Sequence, residues 1–231
     1  MNCVIYFSCT GNCKKAAERI AAKTQFAIKE LTKDGYGDVT LSVYGTAVIV
    51  FPVHCQSYPE FLKKLFKNIR AESVALVALY GGAHAGNALY EAAKLIKPKI
   101  IAAAYIPAGH SYTQEEAAPS AIPDEFIEKL GNSAPVKIIK RKKTPFAGVF
   151  PSLRSRTIIK IYKSEKCVGC NECGKACPYG AIERGRTNAR CARCLKCVAA
   201  CPHTALTFKK SRVLSRYLEN NRFNETILYI K

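Results

Sequence analysis

Eight cysteines carry the plainest chemistry in this chain. Cys167, Cys170, Cys173 and Cys177-Pro178 form one run, and Cys191, Cys194, Cys197 and Cys201-Pro202 form a second, displaced by 24 residues. Each run has the spacing C-x2-C-x2-C-x3-C-P, and the two end alike, in Cys-Pro-Tyr-Gly-Ala-Ile and Cys-Pro-His-Thr-Ala-Leu. Thiolates are soft metal donors, and a tight turn that returns a cysteine every third residue aims three sulfurs at one point. A four-iron cubane needs four such thiolates at the corners of a tetrahedron. The proline after the last cysteine donates no backbone hydrogen bond and steers the chain away from the sulfurs. One zinc ribbon uses CxxC pairs and would leave half of these thiols unexplained. The spacing therefore points to two [4Fe–4S] clusters, with zinc as the main competitor and a disulfide framework behind it.

The double run resembles the bacterial two-cluster ferredoxins. That resemblance implies a crossed assignment, in which Cys167, Cys170, Cys173 and Cys201 hold one cluster and Cys191, Cys194, Cys197 and Cys177 hold the other. Crossing ties the two halves together, so the module is expected to be folded largely by its metal. Val168, Ile182, Val198, Leu206 and Phe208 are expected to cover the clusters and keep water out.

The longer N-terminal part must supply a conventional core. Met1 to Phe7 is an apolar run of strand length, and the helical pattern Lys14 to Lys23 follows it, with Ala16, Ala17, Ile20 and Ala21 on one face. Between them lies Ser8-Cys9-Thr10-Gly11-Asn12-Cys13. Strand, polar glycine loop, then helix is how backbone amides and a helix N-terminus cradle a phosphate. Further strands are expected at Ala47–Phe51, Val74–Tyr80 and Ile100–Ile106, with helices at Glu60–Ile69 and before Ile96. Alternating β and α elements imply a parallel sheet with helices on both faces.

The 8–13 loop resembles the phosphate loop of flavodoxins, and the resemblance runs through much of residues 1–130. It implies an α/β, doubly wound, five-stranded parallel sheet of order 2-1-3-4-5, with FMN bound where strands 1 and 3 diverge. The residues placed at that site are Ser8, Cys9, Thr10, Gly11, Asn12, Cys13, Pro52, Val53, His54, Tyr58, Tyr80, Gly81, Gly82, His84 and Gly86. The aromatics Tyr58, Tyr80, His54 and His84 are stacking candidates, with core packing as the alternative for each. Two departures stand out: Cys13 occupies a position where Thr is common, and His54 one where Tyr is common. Of the remaining thiols, Cys3 is taken as a small core residue, and Cys9, Cys13 and Cys55, in the two loops that meet at the flavin, as small side chains that fit a tight pocket, with a thiol or metal role as the alternative.

Charge is divided unevenly. Residues 1–134 hold 14 Lys/Arg against 12 Asp/Glu, whereas residues 135–231 hold 22 against 5, out of a formal net charge of +19. A positive field around an electron port attracts an acidic redox partner, such as a ferredoxin, a flavodoxin or an oxidoreductase. Nucleic acid is disfavoured, because no recognition motif accompanies the charge. No apolar run reaches membrane-helix length, and no signal-peptide pattern opens the chain. Cluster thiolates require a reducing compartment, so the cytoplasm is expected. The organisation expected is a flavodoxin-like domain over 1–139, a basic connector over 140–157, a small α+β ferredoxin domain over 158–210 and a C-terminal extension over 211–231. The connector carries apolar residues among its bases and is expected to pack across the domains, with an anionic membrane surface as its other use.

Together the halves resemble the flavodoxin–ferredoxin fusion proteins of anaerobic bacteria and archaea. The resemblance implies an iron–sulfur flavoprotein that relays electrons between clusters, FMN and an external partner. No catalytic residue and no fingerprint for NAD is discernible, and a flavin-dependent reductase stays open as a reading. The alternative of another class is a cluster-based redox sensor or nucleic-acid-binding protein that works through the basic half.

Overall fold

The computed structural model describes residues 1–31, 42–113, 121–131, 134–143, 157–220 and 223–231. Five parallel strands form the centre of the first domain: β1 (Cys3–Tyr6), β2 (Ala27–Glu30), β3 (Thr46–Pro52), β4 (Ser73–Tyr80) and β5 (Lys99–Pro107). They lie in the order 2-1-3-4-5, as expected. A sixth strand, β10 (Ile227–Tyr229), pairs antiparallel with β5 and closes that edge. The central strands read as unbroken apolar runs because both faces are covered. Ile5, Phe7, Ile49, Phe51, Leu76 and Tyr80 face α2 (Leu62–Asn68) and α3 (Ala88–Ala93). Val4, Val48, Val50, Val77 and Ala104 face α1 (Asn12–Thr24) and α4 (Asp124–Glu128).

Helix α1 buries Cys13, Ala16, Ala17 and Ile20, the face that the sequence marked, and Cys13 is its first core residue. Helices α2 and α3 are shorter than their apolar spacing suggests. In α2 the Pro59 and Glu60 carbonyls take the amides of Leu62 and Lys63 in tighter turns, so regular helix begins only at Leu62.

The C-terminal module is built on a ribbon of β6 (Ile159–Lys163) antiparallel to β9 (Leu206–Lys210). Between these strands come α5 (Glu172–Ala176), the hairpin of β7 (Ile182–Glu183) and β8 (Arg186–Thr187), and α6 (Lys196–Ala199). After β9, α7 (Arg212–Asn220) leads back to the first domain. Within the last stretch, α7 lies against the module and β10 belongs to the main sheet. Phe223 donates its backbone N–H to the Gly82 carbonyl at 2.6 Å, and Tyr80 donates its hydroxyl to the Glu225 carbonyl at 2.6 Å. Of the basic connector, residues 144–156 lie outside the described residues. Its start is pinned where the Arg141 N–H donates to Asn87 Oδ1 at 2.6 Å and the Asn87 amide donates to the Arg141 carbonyl at 2.6 Å. Among the described residues no helix is long and apolar enough to cross a membrane.

One close approach fixes the loops at the C-terminal ends of the strands. Gly86, at φ +65, lies so near the 52–58 loop that a Cβ would stand 2.2 Å from the Gln56 carbonyl oxygen. The Gln56 carbonyl also accepts the Asn87 N–H at 2.9 Å. Gly86→Ala should force the two loops apart and lower stability by about 1–3 kcal/mol, the usual cost of a strained left-handed residue compounded by a clash. Urea unfolding followed by far-UV circular dichroism measures it; an unchanged midpoint would mean that the loops separate freely.

Candidate functional site

The cysteine runs fold as two copies of one turn. The left-handed residues Gly169, Asn171 and Gly180 of the first run recur 24 residues later as Arg193, Leu195 and Thr204. Asn171 and Leu195 immediately precede α5 and α6. The fourth sulfur of each run is also treated alike, for Ala181 N–H donates to Cys177 Sγ and Ala205 N–H to Cys201 Sγ, both at 3.3 Å. The sulfurs then divide across the runs. Cys167, Cys170, Cys173 and Cys201 border one void, and Cys177, Cys191, Cys194 and Cys197 border another. Among the described residues no three His, Cys, Asp or Glu side chains converge closely enough for a single ion. A cubane places iron and sulfide between its thiolates, so four thiols set around a void suit it.

The outer void, at Cys167, lies by solvent: Cys170 is exposed, and so is Val168. Val168, expected to cover a cluster, borders the outer void while remaining largely exposed itself. Ile182 and Leu206 do pack against the cysteines, and Val198 partly so. Phe208 instead joins Ile159, Leu195 and Leu214 at the seam with the first domain.

The inner void faces that domain. Tyr179, directly after Cys177-Pro178, meets Phe61 edge-on at 5.5 Å and lies 3.1 Å from His54 Nδ1 through its hydroxyl. Tyr112 donates its hydroxyl to the Arg193 carbonyl at 2.9 Å. Lys196 pairs with Glu30 at 3.7 Å and lies over the Phe7 ring. Cys9 Sγ is 3.7 Å from His54 Nε2, and Cys194 lies on the same narrow cavity wall. The nearness of Cys194 and deep burial hold the Cys9 thiol well above its ordinary value, so it keeps its proton.

Two connected cavities fill the cleft between the halves. The narrower, about 70 Å³, is bordered by Ser8, Cys9, Thr10, Asn12, Pro52 and His54, and by Gly109 and His110 of the loop after β5. The larger, about 290 Å³, lies between the 53–56 turn, Gly81 and His84, the His110–Tyr112 loop and Tyr217 of α7. Cys194 borders both, and the inner void as well. The narrow end has the makings of an anion cradle. Helix α1 starts with no side-chain cap, leaving its first amides free of side-chain partners. Gly11 stands there at φ +92 with nothing within 4 Å of where a Cβ would be, so backbone conformation, not crowding, calls for glycine. Ser8 Oγ is engaged within the loop, accepting the Gly11 N–H at 3.0 Å. These features fit a phosphate, and the larger chamber, with its imidazoles, fits a flat ring.

The sequence-selected residues are therefore not all brought together. Ser8, Cys9, Thr10, Asn12, Cys13, Pro52, Val53, His54, Tyr80, Gly81 and His84 border one cavity or the other. Tyr58 packs edge-on against Phe66. The Tyr80 ring is buried against Tyr105 and Phe223, which removes it as a stacking group. Gly82 and Gly86 hold loops in place through the contacts described above. What the sequence reading passed over is the run Gly109-His110-Ser111-Tyr112, although a polar, aromatic loop after a buried strand is where such folds bind ligands. The Cys55-Gln56 pair is also unusual, as both residues are left-handed inside a two-residue turn closed by His54 and Ser57.

The C-terminal part matches the family model described as a 4Fe-4S binding domain, over residues 161–183. No curated protein matches the chain. Among solved structures it is similar to a putative flavoprotein from Bacteroides uniformis, at 18% identity over 48% of this chain and 93% of that one, TM-score 0.37. It is similar as well to a flavoprotein in complex with FMN from Lactobacillus acidophilus, at 19% identity over 50% and 97%, TM-score 0.36. A third is an NAD(P)H:quinone oxidoreductase from Methanothermobacter marburgensis, at 9% identity over 56% and 92%, TM-score 0.33.

The two imidazoles of the cleft give the site a pH signature. Burial, then the neighbouring His110, lowers His54 to about 4, and burial, then Lys210, lowers His110 to about 4. An unfolded histidine takes up its proton near 6.5, so between there and about 4 the unfolded chain binds more protons and stability falls as pH falls. His110→Gln should flatten that decline by up to about 3 kcal/mol. Unfolding midpoints across this interval check it, and equal slopes in both proteins would contradict the assignment.

Proposed function

We propose that this chain is an electron-transfer iron–sulfur flavoprotein, with two [4Fe–4S] clusters on the crossed cysteine sets and FMN in the interdomain cleft. The observation that carries the reading is the position of Cys194, a wall of the inner four-thiol void and of both cleft cavities at once. Clusters pass single electrons and FMN holds one or two, so their adjacency suits an exchange between one-electron and two-electron partners.

The chain's own residues have distinct parts in this reading. The first amides of α1, with Thr10 and Asn12, hold the phosphate. Asn12 is oriented by donating its amide to the Gly109 carbonyl at 3.3 Å. His54, His84, His110 and Tyr112 border the ring. Ile158, Leu214 and Tyr217 exclude water on the side away from the sheet. The outer set, with exposed Cys170 amid exposed Lys163, Lys166, Arg184 and Arg186, is the port for an acidic redox protein. A reducing compartment such as the cytoplasm keeps the free thiols available.

Anaerobically loaded protein should contain about eight iron and eight acid-labile sulfide with one flavin per chain. Four iron, or stoichiometric zinc, would sink the two-cluster reading, and FAD or no flavin the FMN assignment. Cys177→Ala should damage the cluster of Cys191, Cys194 and Cys197 and spare that of its own run; the reverse loss would undo the crossing.

Reduction by an acidic ferredoxin should slow as salt rises, chiefly through the association rate, because screened charges steer less. Replacing Lys163, Lys166 and Arg184 together by Gln should mimic high salt at unchanged iron content. A rate indifferent to ionic strength would remove the steering role, while retention of nucleic acid with steep salt dependence would favour the rival class.

A further inference from the structure

The two cysteine runs are copies displaced by 24 residues, so each position of one has a counterpart in the other. The counterpart of Gly169 is Arg193, and both stand in the left-handed region, at φ +76 and φ +58. Glycine takes that conformation freely, whereas arginine resists it. Arg193 is held there from both ends. Its carbonyl accepts the Tyr112 hydroxyl at 2.9 Å, and its Nη1 donates to Thr187 Oγ1 at 3.0 Å and to Cys191 Sγ at 3.3 Å. Its Nε is buried without a hydrogen-bond partner, and among the described residues no carboxylate pairs with it. Lys196, the other base of this run, is paired with Glu30 at 3.7 Å. The matched sulfur of the first run, Cys167, has a different neighbour, the Arg184 carbonyl oxygen at 3.9 Å.

A guanidinium is a fixed cation, and one drawn partly out of water needs negative charge close by. Resting on the cluster reading above, that charge is the inner thiolate set, to which Cys191 belongs. A cluster gains one negative charge on reduction, and hydrogen bonds to its sulfurs, net charge and exposure set how readily it does so. Burial hinders that gain at the inner set relative to the solvent-facing outer one. A cation against Cys191 acts in the opposite sense. The carbonyl oxygen beside Cys167 carries partial negative charge and gives the outer set no such help.

We propose that Arg193 gives the relay its inward direction: by donating to Cys191 it raises the reduction potential of the inner cluster, so that an electron delivered to the outer set by an acidic redox protein passes on toward the cleft. One centre loses the electron that the other gains, and no bond is made or broken. Arg193 acts through Cys191 and is a positioning residue. The Tyr112 hydroxyl, from a loop of the first domain, secures its strained backbone, so docking of the two halves and the inner potential are linked.

The test is a reductive titration of anaerobically loaded full-length protein to one electron per chain. Electron paramagnetic resonance registers each reduced cluster separately, and the inner signal is the one that disappears in Cys177→Ala. Arg193→Met keeps the stem and removes the charge. It should lower the ratio of inner to outer reduced cluster about tenfold, the weight of a hydrogen bond to a charged group, which corresponds to about 59 mV for one electron. Arg193→Gly copies the first run and relieves the left-handed strain, so it should assemble even where the methionine variant does not, with the same fall. Arg193→Lys keeps a cation and should recover part of it. With eight irons bound, an unchanged ratio in the methionine or glycine variant overturns the proposal. A lysine variant as low as the methionine one also overturns it, since charge is then not the cause. So does unmodified protein whose electron resides on the outer cluster. Fewer than eight irons in the unmodified protein would instead overturn the cluster reading itself, and this proposal with it.

Discussion

Bringing four sulfurs of two separate turns around one void is the constraint on which the rest of the molecule depends. It requires backbone that L-residues resist, and the two copies meet the demand differently. The first run places Gly169, Asn171 and Gly180 at its left-handed positions, residues that tolerate them. The second places Arg193, Leu195 and Thr204 there, at a cost of about 1–2 kcal/mol for each. Two of these strained residues, Arg193 and Leu195, face the seam. Leu195 is buried with Ile159 and Leu214, the Arg193 carbonyl accepts from Tyr112, and its guanidinium donates to Cys191 Sγ at 3.3 Å. Tertiary contacts thus offset in the inner turn what glycine and asparagine avoid in the outer one.

That asymmetry explains how much was legible in the sequence. The cysteine spacing, the unbroken apolar runs of the buried strands and the glycine loop before α1 are local patterns, legible without knowledge of distant partners. Strand β2 did not, because it is an edge strand with Ile28 exposed and a burial pattern too open to resemble a core element. Tyr80 looked like a pocket aromatic because it ends a strand at the right loop. Only the return of Phe223 and Glu225, over 140 residues later, shows why its ring turns inward. Val168 lines the outer void as its place between two cysteines suggests, yet its exposure could not be read from that place.

The route of the chain gives the seam its definition. After the module, α7 and β10 carry the polypeptide back to the starting sheet, where β10 hydrogen-bonds to β5 along Ala103–Tyr105. The module is therefore bracketed on both sides by segments anchored on the first domain, Arg141 before it and Phe223 after it, and these two residues meet each other as guanidinium over ring at 5.9 Å. A joint tethered at both ends loses less freedom on docking than one tethered at a single end. Modest contacts across the seam, among them the Lys196–Glu30 pair and the Tyr112–Arg193 hydrogen bond, then suffice to set the halves in register.

Register is what an electron relay needs, since transfer depends on separation far more than on affinity between the parts. In the proposed reading the inner thiol void and the cleft share Cys194 as a common wall, so no diffusive step separates them. The charge pattern agrees with that arrangement. At the seam, Lys196 is matched by Glu30 and covered by Phe7, while the exposed bases Lys163, Lys166 and Arg184 are left around the outer set. At the seam a base is thus paired with a carboxylate of the first domain, while around the outer set exposed bases outnumber carboxylates. The inner face is specified as well by contacts without net charge: Tyr179 with His54 and Phe61, and Tyr112 with the Arg193 carbonyl.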